Sequence, residues 1–348
     1  MSKADYLIIG QGLAGSCLAL ELLRRGKRVL VLDREDSHSA SRVAAGMFNP
    51  ITSKVRSLTW NAEVLFPHLT KFYTEAEHVT SSRFFYPLPI YRPFPSASDQ
   101  VGWDHVSPEY LKAVHTRSAY GDFVRDPFGG IELSRSGHVD TRAFVMAVKN
   151  YLRSLGCLME DHSPVNMDGQ FLKFCRSIAG RVVFCEGVQV TVNPLFRWLP
   201  ISKLKGEVLD VEVDLPKDVL FNRSVYLVPA LNGFRAGSTY DRNVIEGNTD
   251  AGVNDIEVRL RQLLTRSFNT IAKDWGFRPV VRDRRPVIGA HPEEKDVFIF
   301  NGLGTKGVSL APWSAACLAG WMEGTESLPE EVNISRFYPL YFKYLQDS

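Results

Sequence analysis

Tyr6 to Gly15, YLIIGQGLAG, limits what this chain can fold into more than any other stretch. Four apolar residues, Tyr6, Leu7, Ile8 and Ile9, read as a short strand buried on both faces, and Gly10, Gly12 and Gly15 complete a GxGxxG turn into a helix. Gly10 allows the sharp turn, Gly12 lets a pyrophosphate approach the backbone, and Gly15 lets the helix pack closely on the strand. Leu13 and Ala14 open that helix, so its orphan N–H groups face the phosphates. The pattern predicts a helix from Leu13 to Arg25, apolar on most sides, with Gly26 as its stop and a second buried strand over Arg28 to Leu32. That strand ends in Asp33, at the distance where an acid accepts hydrogen bonds from a ribose 2′-OH and repels a 2′-phosphate; Arg34 beside it tempers the repulsion. The opening stretch thus points to a dinucleotide, NAD or FAD.

A chain of 348 residues is long enough for two domains or one elaborated one. The formal net charge of +2, from 41 basic and 39 acidic residues, gives no global reason to expect nucleic acid as the main partner. Cys17, Cys157, Cys175, Cys185 and Cys317 show neither CxxC spacing nor an even count. That usage fits a reducing compartment without structural zinc, so the expected location is cytoplasmic and no metal is expected. The first strand begins almost at the initiator Met, which leaves no room for an export signal, and no run approaches membrane-spanning length.

Further along, Ala40 to Pro50, ASRVAAGMFNP, joins small residues and a glycine in a helix-like segment, a second place where backbone closely approaches a ligand. Leu58 to Ala76 has helical periodicity, with Trp60, Val64, Leu65, Leu69, Phe72 and Tyr73 on one face. Between Phe84 and Phe128 frequent prolines break the chain into short apolar pieces, the texture of a different layer. Asp140 to Leu155 returns to a helix stopped by Gly156, and Cys157–Met167 with Gln170–Cys175 resembles a β-hairpin. Arg181 to Cys185 reads as a buried strand of the opening sheet, ending at Glu186-Gly187. Alternation from Leu204 to Tyr240 predicts an antiparallel sheet, and Ile256 to Trp275 a helix.

At the far end a buried strand, Val297 to Phe300, runs into Asn301, Gly302, Gly304 and Gly307 before a small-residue helix from about Ser309 to Met322. Pro312 is expected in its first turn, where a missing N–H has no intrahelical partner. A second helix N-terminus with bare amides suggests a cofactor with a second reactive part. Reduction of a flavin puts negative charge on the N1/C2=O edge of its ring, which a helix dipole stabilises, and Lys306 would add to that field.

Taken in order, GQGLAG (10–15), SRVAAGM (41–47), CEG (185–187), LKGEV (204–208), YLVP (226–229), GSTYD (237–241), FRPVVRDRRPVIG (277–289) and NGLGTKGVSLAP (301–312) resemble the FAD-dependent amino-acid and amine oxidoreductases of the D-amino-acid oxidase type, glycine and sarcosine oxidases among them. The resemblance implies an α/β fold: a discontinuous Rossmann-like FAD-binding domain (1–80, 138–200 and 276–348) with an inserted antiparallel-sheet (α+β) substrate domain (81–137 and 201–275). It implies that Gly10, Gly12, Gly15, Asp33 and Arg34 hold the adenine side, with backbone around Val165 touching the adenine. Ser41, Arg42, Ala45, Gly46 and Met47 would line the pyrophosphate and ring side, Gly187 would close the turn after its strand, and Gly302, Gly304, Thr305, Lys306, Gly307 and Val308 would face the isoalloxazine. Arg278, in the family's RP motif, would hold a substrate carboxylate, with Tyr226 holding substrate and Tyr240 lining the pocket.

Two departures are visible. Gly302-Leu303-Gly304 replaces a frequent GHG, and no cysteine lies within 301–312, so a non-covalent FAD is expected. The implied activity is oxidation of the C–N bond of an amino acid or secondary amine, with hydride passing from the α-carbon to flavin N5, no obligate general base, and hydrolysis of the imine. The electron acceptor, O2 or another, is left open. One branch of the same chemistry demodifies an aminomethyl-uridine in tRNA; the basic cluster at 278–285 favours it and the near-neutral charge does not. A non-catalytic nucleotide-binding or redox-sensing protein is the rival from another class. The aromatic run Phe337 to Leu345 is expected to pack on the protein or a partner subunit rather than on a membrane, because Pro339 interrupts any helix and basic residues are few.

Overall fold

In the computed structural model, which describes residues 3–34, 36–51, 57–160, 169–243 and 245–347, alternate residues of the first strand enter two different cores. Tyr6 and Ile8 pack with the helices on one side, Leu7 and Ile9 with Phe184, Phe196 and Tyr341 on the other. A strand covered on both faces needs apolar residues at every position, which is what YLII supplies.

The chain begins β1 (Ala4–Ile9), α1 (Leu13–Arg24), β2 (Val29–Asp33), α2 (Ala40–Val43), β3 (Met47–Phe48) and α3 (Ala62–Thr80). It continues with β4 (Phe85–Tyr86), β5 (Ile90–Pro93), β6 (Leu111–His115), β7 (Gly130–Leu133), β8 (Gly137–Val139) and α4 (Thr141–Ser154). Then come β9 (Leu158–Glu160), α5 (Gly169–Ile178), β10 (Ala179–Phe184), β11 (Ile201–Glu212), β12 (Leu220–Asn222), β13 (Tyr226–Ala230) and β14 (Gly233–Gly237). The last elements are α6 (Asp250–Leu263), β15 (Asn269–Val281), β16 (Val287–Ala290), β17 (Val297–Asn301), α7 (Gly307–Met322) and α8 (Tyr338–Asp347).

Among the described residues these strands form a six-stranded sheet ordered β16-β17-β10-β1-β2-β9, parallel except for β16, and an eight-stranded sheet ordered β15-β11-β14-β13-β12-β5-β7-β6. A small third sheet is ordered β3-β8-β4. The expected Rossmann-like layer and antiparallel layer are both present. In the second sheet β12 pairs with β5 in parallel, so strands from two separated stretches of sequence share one ladder. β10 lies beside β1, as its apolar run and terminal glycine predict.

Several elements differ from the sequence reading. The stretch 170–175 is helical within α5 rather than half of a hairpin, because Leu172 and Cys175 recur at helical spacing and turn together into the core below β1 and β10; residues 161–168 lie outside the described residues. The helix expected over 256–275 is displaced: α6 starts at Asp250, where Thr249 Oγ1 accepts from Gly252 N at 3.0 Å, and ends at Leu263. Residues from Asn269 are taken into β15, whose long antiparallel ladder with β11 overrides their local preference, and Ile271 faces outward, 48% exposed. α3 begins at Ala62 and leaves Val64 exposed. Pro339 stands in the first turn of α8, where it is tolerated, and Tyr341 of that helix packs on Trp198 and His291.

Pro312 also departs from expectation. α7 starts at Gly307, so Pro312 falls in the second turn and its missing N–H would strand the carbonyl of Val308. The buried hydroxyl of Tyr73 fills the gap, donating to Val308 O at 3.1 Å. Tyr73→Phe removes that donor and leaves the carbonyl unpaired in the core, an expected loss of about 1–3 kcal/mol, read as a lower urea midpoint at unchanged m-value.

Candidate active site

A cavity of about 820 Å³ runs between the two large sheets. Its floor is the carboxyl edge of the parallel sheet. Gly10 turns away from β1 with φ 97°, and a Cβ there would lie 2.7 Å from Cys185 O, so only glycine fits between β1 and β10. Gly15 is not on the wall; a Cβ at that position would come within 1.9 Å of Gly10 O, so its work is to seat α1 on the turn. Gly12, Leu13 and Ala14 do line the cavity, and Ser41 Oγ accepts from Leu13 N at 2.9 Å, tying α2 to the start of α1.

At one end are Asp33, Arg34, Glu186 and Gly187. Asp33 Oδ1 accepts from Gln11 N at 2.9 Å, which fixes the carboxylate at the turn. On its other side Lys149, only 3% exposed, brings Nζ to 3.7 Å from Asp33 Oδ2 and 2.8 Å from Glu160 Oε1. Burial pushes the Glu186 carboxyl up to about 7, against the hydrogen bond from Asn193 Nδ2 (2.6 Å) and the charge of Arg34. Val165 lies outside the described residues.

In the middle, Ser41, Arg42, Ala45, Gly46 and Met47 line the wall. The positive φ of Gly46 (66°) serves a close approach to β8 as well: a Cβ there would sit 1.8 Å from Val139 O. Toward the other end Gly304, Thr305, Gly307 and Val308 present the start of α7. Two residues of that segment are placed differently from expectation. Gly302 turns inward, where a Cβ would meet Val281 Cγ2 at 2.9 Å, and the Lys306 ammonium donates to Thr59 Oγ1 instead of lining the cavity. Burial, with the charges of Arg284 and Arg285, holds the Lys306 pKa below its ordinary value.

Arg278 reaches this end from β15. Its Nη2 donates to Ser238 Oγ at 2.8 Å and its Nη1 to Thr239 O at 3.3 Å, and the guanidinium lies 5.2 Å over the Tyr240 ring. No carboxylate pairs with it among the described residues. Gly206 on the neighbouring strand is what admits it, since a Cβ there would overlap the guanidinium at 2.1–2.3 Å. Tyr226 stands nearby, its hydroxyl pushed up by burial and pulled down by Arg278; Tyr240 is 65% exposed at the cavity mouth. Ser238, Gly206, Glu186, Asn193 and Lys149 were not singled out from the sequence. Only Gly206 carried a signal there, a glycine inside a strand.

Two helix N-termini, an acid at the end of the second strand and a guanidinium without a carboxylate partner lie around one cavity, an arrangement of the kind that receives a dinucleotide. Gln11 Oε1, buried and without a partner among the described residues, adds an orphan acceptor on the same wall. The profile described as "FAD dependent oxidoreductase" (DAO) matches residues 5–321, and the chain belongs to this family. The chain is 28% identical over 367 residues to the bifunctional protein ThiO/ThiG of Trichormus variabilis, covering 96% of this chain and 55% of that protein. It spans about half the length of the first curated relatives it matches. Among solved structures, glycine oxidase from Bacillus cereus superposes with a TM-score of 0.72 at 19% identity, over 93% of this chain and 96% of that one. Iminodiacetate oxidase from Chelativorans sp. gives 0.70 at 20% identity, over 96% and 98%. These likenesses bear on the fold. No group of residues suited to a metal ion occurs among the described residues, and no described helix is long and apolar enough to cross a membrane.

Glu186 gives the site a pH signature. Its pKa in the folded protein lies above the ordinary 4.5, so the folded state holds the proton more tightly than the unfolded one. Stability attached to this group is fully present below pH 4.5, declines through the interval and is lost above about 7. Glu186→Gln is therefore expected to flatten the stability profile between pH 5 and 8, read as urea midpoints of the apoprotein.

Proposed function

We propose that this site oxidises the C–N bond of an amine bearing a carboxylate, an amino acid or secondary amine, with FAD held non-covalently. The observation that carries the reading is Arg278: a guanidinium oriented by Ser238 and Thr239, stacked on Tyr240 and left without a carboxylate of its own. Its planar fork suits a substrate carboxylate bidentately.

The residues present fit the cofactor. Gly10, Gly12, Leu13 and Ala14 would receive the pyrophosphate, Asp33, Arg34 and Gly187 the adenosine end, and Ser41, Arg42, Ala45, Gly46 and Met47 the span between. Gly304, Thr305, Gly307 and Val308 would face the ring at the start of α7. We also propose the division of the chain into an FAD-binding unit and a substrate unit at the boundaries given above. When bound, FAD would supply the two-electron acceptor for oxidation of the C–N bond to an imine, the amine proton going to solvent and water hydrolysing the imine to carbonyl and amine. Arg278 and Tyr226 orient the substrate, and the apolar Leu303 and Val308 keep water from the reacting face. The electron acceptor is O2 or another oxidant, and the working compartment is the cytoplasm.

In the basic cluster that favoured a tRNA substrate, Arg282 and Arg284 are exposed, Arg278 lines the cavity and Arg285 is engaged within the protein. Asp283 pairs with Arg336 at 3.0 Å, and Arg285 lies 4.4 Å over Trp60 and 3.9 Å from Glu331. The near-neutral net charge of +2 does not favour a nucleic-acid substrate.

The test is anaerobic mixing of the FAD-loaded protein with amino acids and amines, following flavin bleaching. Arg278→Ala is expected to keep FAD and to lose at least about 100-fold in kcat/KM for carboxylate substrates, roughly 3 kcal/mol of transition-state binding. Retention of full activity removes Arg278 from the site, and a chain that binds no FAD defeats the whole reading. A second prediction concerns the cofactor alone. Lys149→Met frees Asp33 from its buried partner and is expected to weaken FAD at least tenfold while leaving FMN, which lacks the adenosine, within twofold; fluorescence titration of the apoprotein measures both, and Lys149→Arg should restore part of the loss.

A further inference from the structure

A second guanidinium, that of Arg92, sits on the same face of the eight-stranded sheet as Arg278, buried beyond the residues that line the cavity, and has no use in the chemistry above. Ile90 of β5 packs with Ala45, Ile51, Leu220 and Val228, whereas Tyr91 packs in the opposite core with Phe221 and Leu227. Strand alternation therefore puts Arg92 on the face of Ile90. Pairing carries that face across the sheet: Ile90 lies beside Leu220, Asn222 beside Tyr226, and Tyr226 beside Gly237. Tyr226 and Met47 border both this apolar cluster and the cavity, and Asn222 Nδ2 touches Met47 Sδ at 3.8 Å. Arg92 is thus two strand spacings, roughly 10 Å, from the row of Tyr226.

Its environment is unusual for a cation. Arg92 is 9% exposed, its Nη2 donates to Ile51 O at 3.3 Å, and Nε and Nη1 are buried with no partner among the described residues. Burial lowers its pKa to about 10, which still leaves it charged at neutral pH. A buried charge with two unmet donors is costly unless an anion completes it. Met47, which lines the cavity and packs against the same apolar cluster as Ile51 and Ile90, is unbranched and able to repack around an entering group.

We propose that Arg92 is a second anion receptor of this site, taking the distal carboxylate of a dicarboxylic amine whose first carboxylate is held at Arg278. The proposal rests on the amine-oxidising reading and narrows its substrate class: amino acids or N-substituted amino acids carrying a second carboxylate at a distance. The two forks would fix both ends of the molecule and leave the C–N bond between them. Specificity then lies in the length of the spacer.

The holoenzyme is tested anaerobically with glycine and sarcosine as monocarboxylates and with iminodiacetate, aspartate, glutamate and α-aminoadipate, both enantiomers where they exist. Half-saturation is expected to fall at least tenfold at the dicarboxylate whose spacer reaches Arg92. Arg92→Met should raise it for that compound at least tenfold more than for the monocarboxylates, with Arg92→Lys between. Since Arg92→Met removes an unpaired buried charge, its urea midpoint is expected to match or exceed that of the native protein. If the variant does not fold, mono- and dicarboxylates titrated against the native flavin spectrum decide the question. Equal affinity for the two classes, or an equal shift of both in the variant, overturns the proposal. So does acetate stabilising the native protein but not Arg92→Met without any dicarboxylate preference, which would mark a free-anion site. Absence of flavin reduction by every compound defeats the underlying reading instead.

Discussion

The structure depends on the closeness of two helices from opposite ends of the chain. α1 and α7 lie side by side, and a Cβ on Gly307 would come within 3.0 Å of Leu13 Cδ2, so glycine at the first position of α7 lets the two N-termini share one cavity. Each terminus carries unpaired amides and the positive end of a helix dipole. Placed together they make a strip of positive potential some two turns wide, which suits a pyrophosphate at one end and an electron-accepting ring at the other. Tyr73 supports that arrangement from below by pairing the carbonyl that Pro312 would otherwise strand.

What could be read from the sequence follows from how local each cause is. The GxGxxG turn, Asp33 and the two buried strands are set by residues within a few positions of one another, so their places in the fold were legible before any contact was known. Arg278 was legible only through its motif. Its partners Ser238 and Thr239 are some forty positions away, and the space it occupies is made by Gly206 on a paired strand. Lys149 and Glu186 are invisible for the same reason: one is a lysine in an amphipathic helix, the other a strand-end acid, until burial and Asp33 or Asn193 define them. The failures in secondary structure are of this kind too. Residues 269–275 have helical periodicity, but they are captured by the ladder with β11, and 170–175 have strand-like composition but close the core below β1 and β10 as a helix.

A charged device joins the wall proposed for substrate to the wall proposed for cofactor. Arg235 and Asp210 face each other across β14 and β11 and pair bidentately at 2.7 and 2.8 Å. The remaining arm of Arg235 donates to Val43 O at 3.0 Å, the end of the short helix that carries Ser41 and Arg42. The eight-stranded sheet is thereby tied to the segment that meets the start of α1. A bidentate pair with a third bond to backbone holds relative orientation better than apolar contact alone, because its geometry tolerates little slippage.

Charge along the cavity is not uniform, and the asymmetry fixes direction. Asp33 and Glu186 stand at one end, the two helix N-termini in the middle, and Arg278 with Tyr226 at the other. A carboxylate entering at the acidic end meets like charge once Glu186 ionises, whereas at the Arg278 end it meets a cation held in place before binding by Ser238, Thr239 and Tyr240. The entropic cost of ordering that guanidinium is already met in the free protein, so more of the contact energy is available to orient the substrate. Preorganisation of this kind matters most for a reaction that requires no dedicated general base. In the proposed reaction, with proton transfer left to solvent, rate would rest on how closely the α-hydrogen is held against the acceptor, and that distance would be set by the rigidity of one arginine and the strand that carries it.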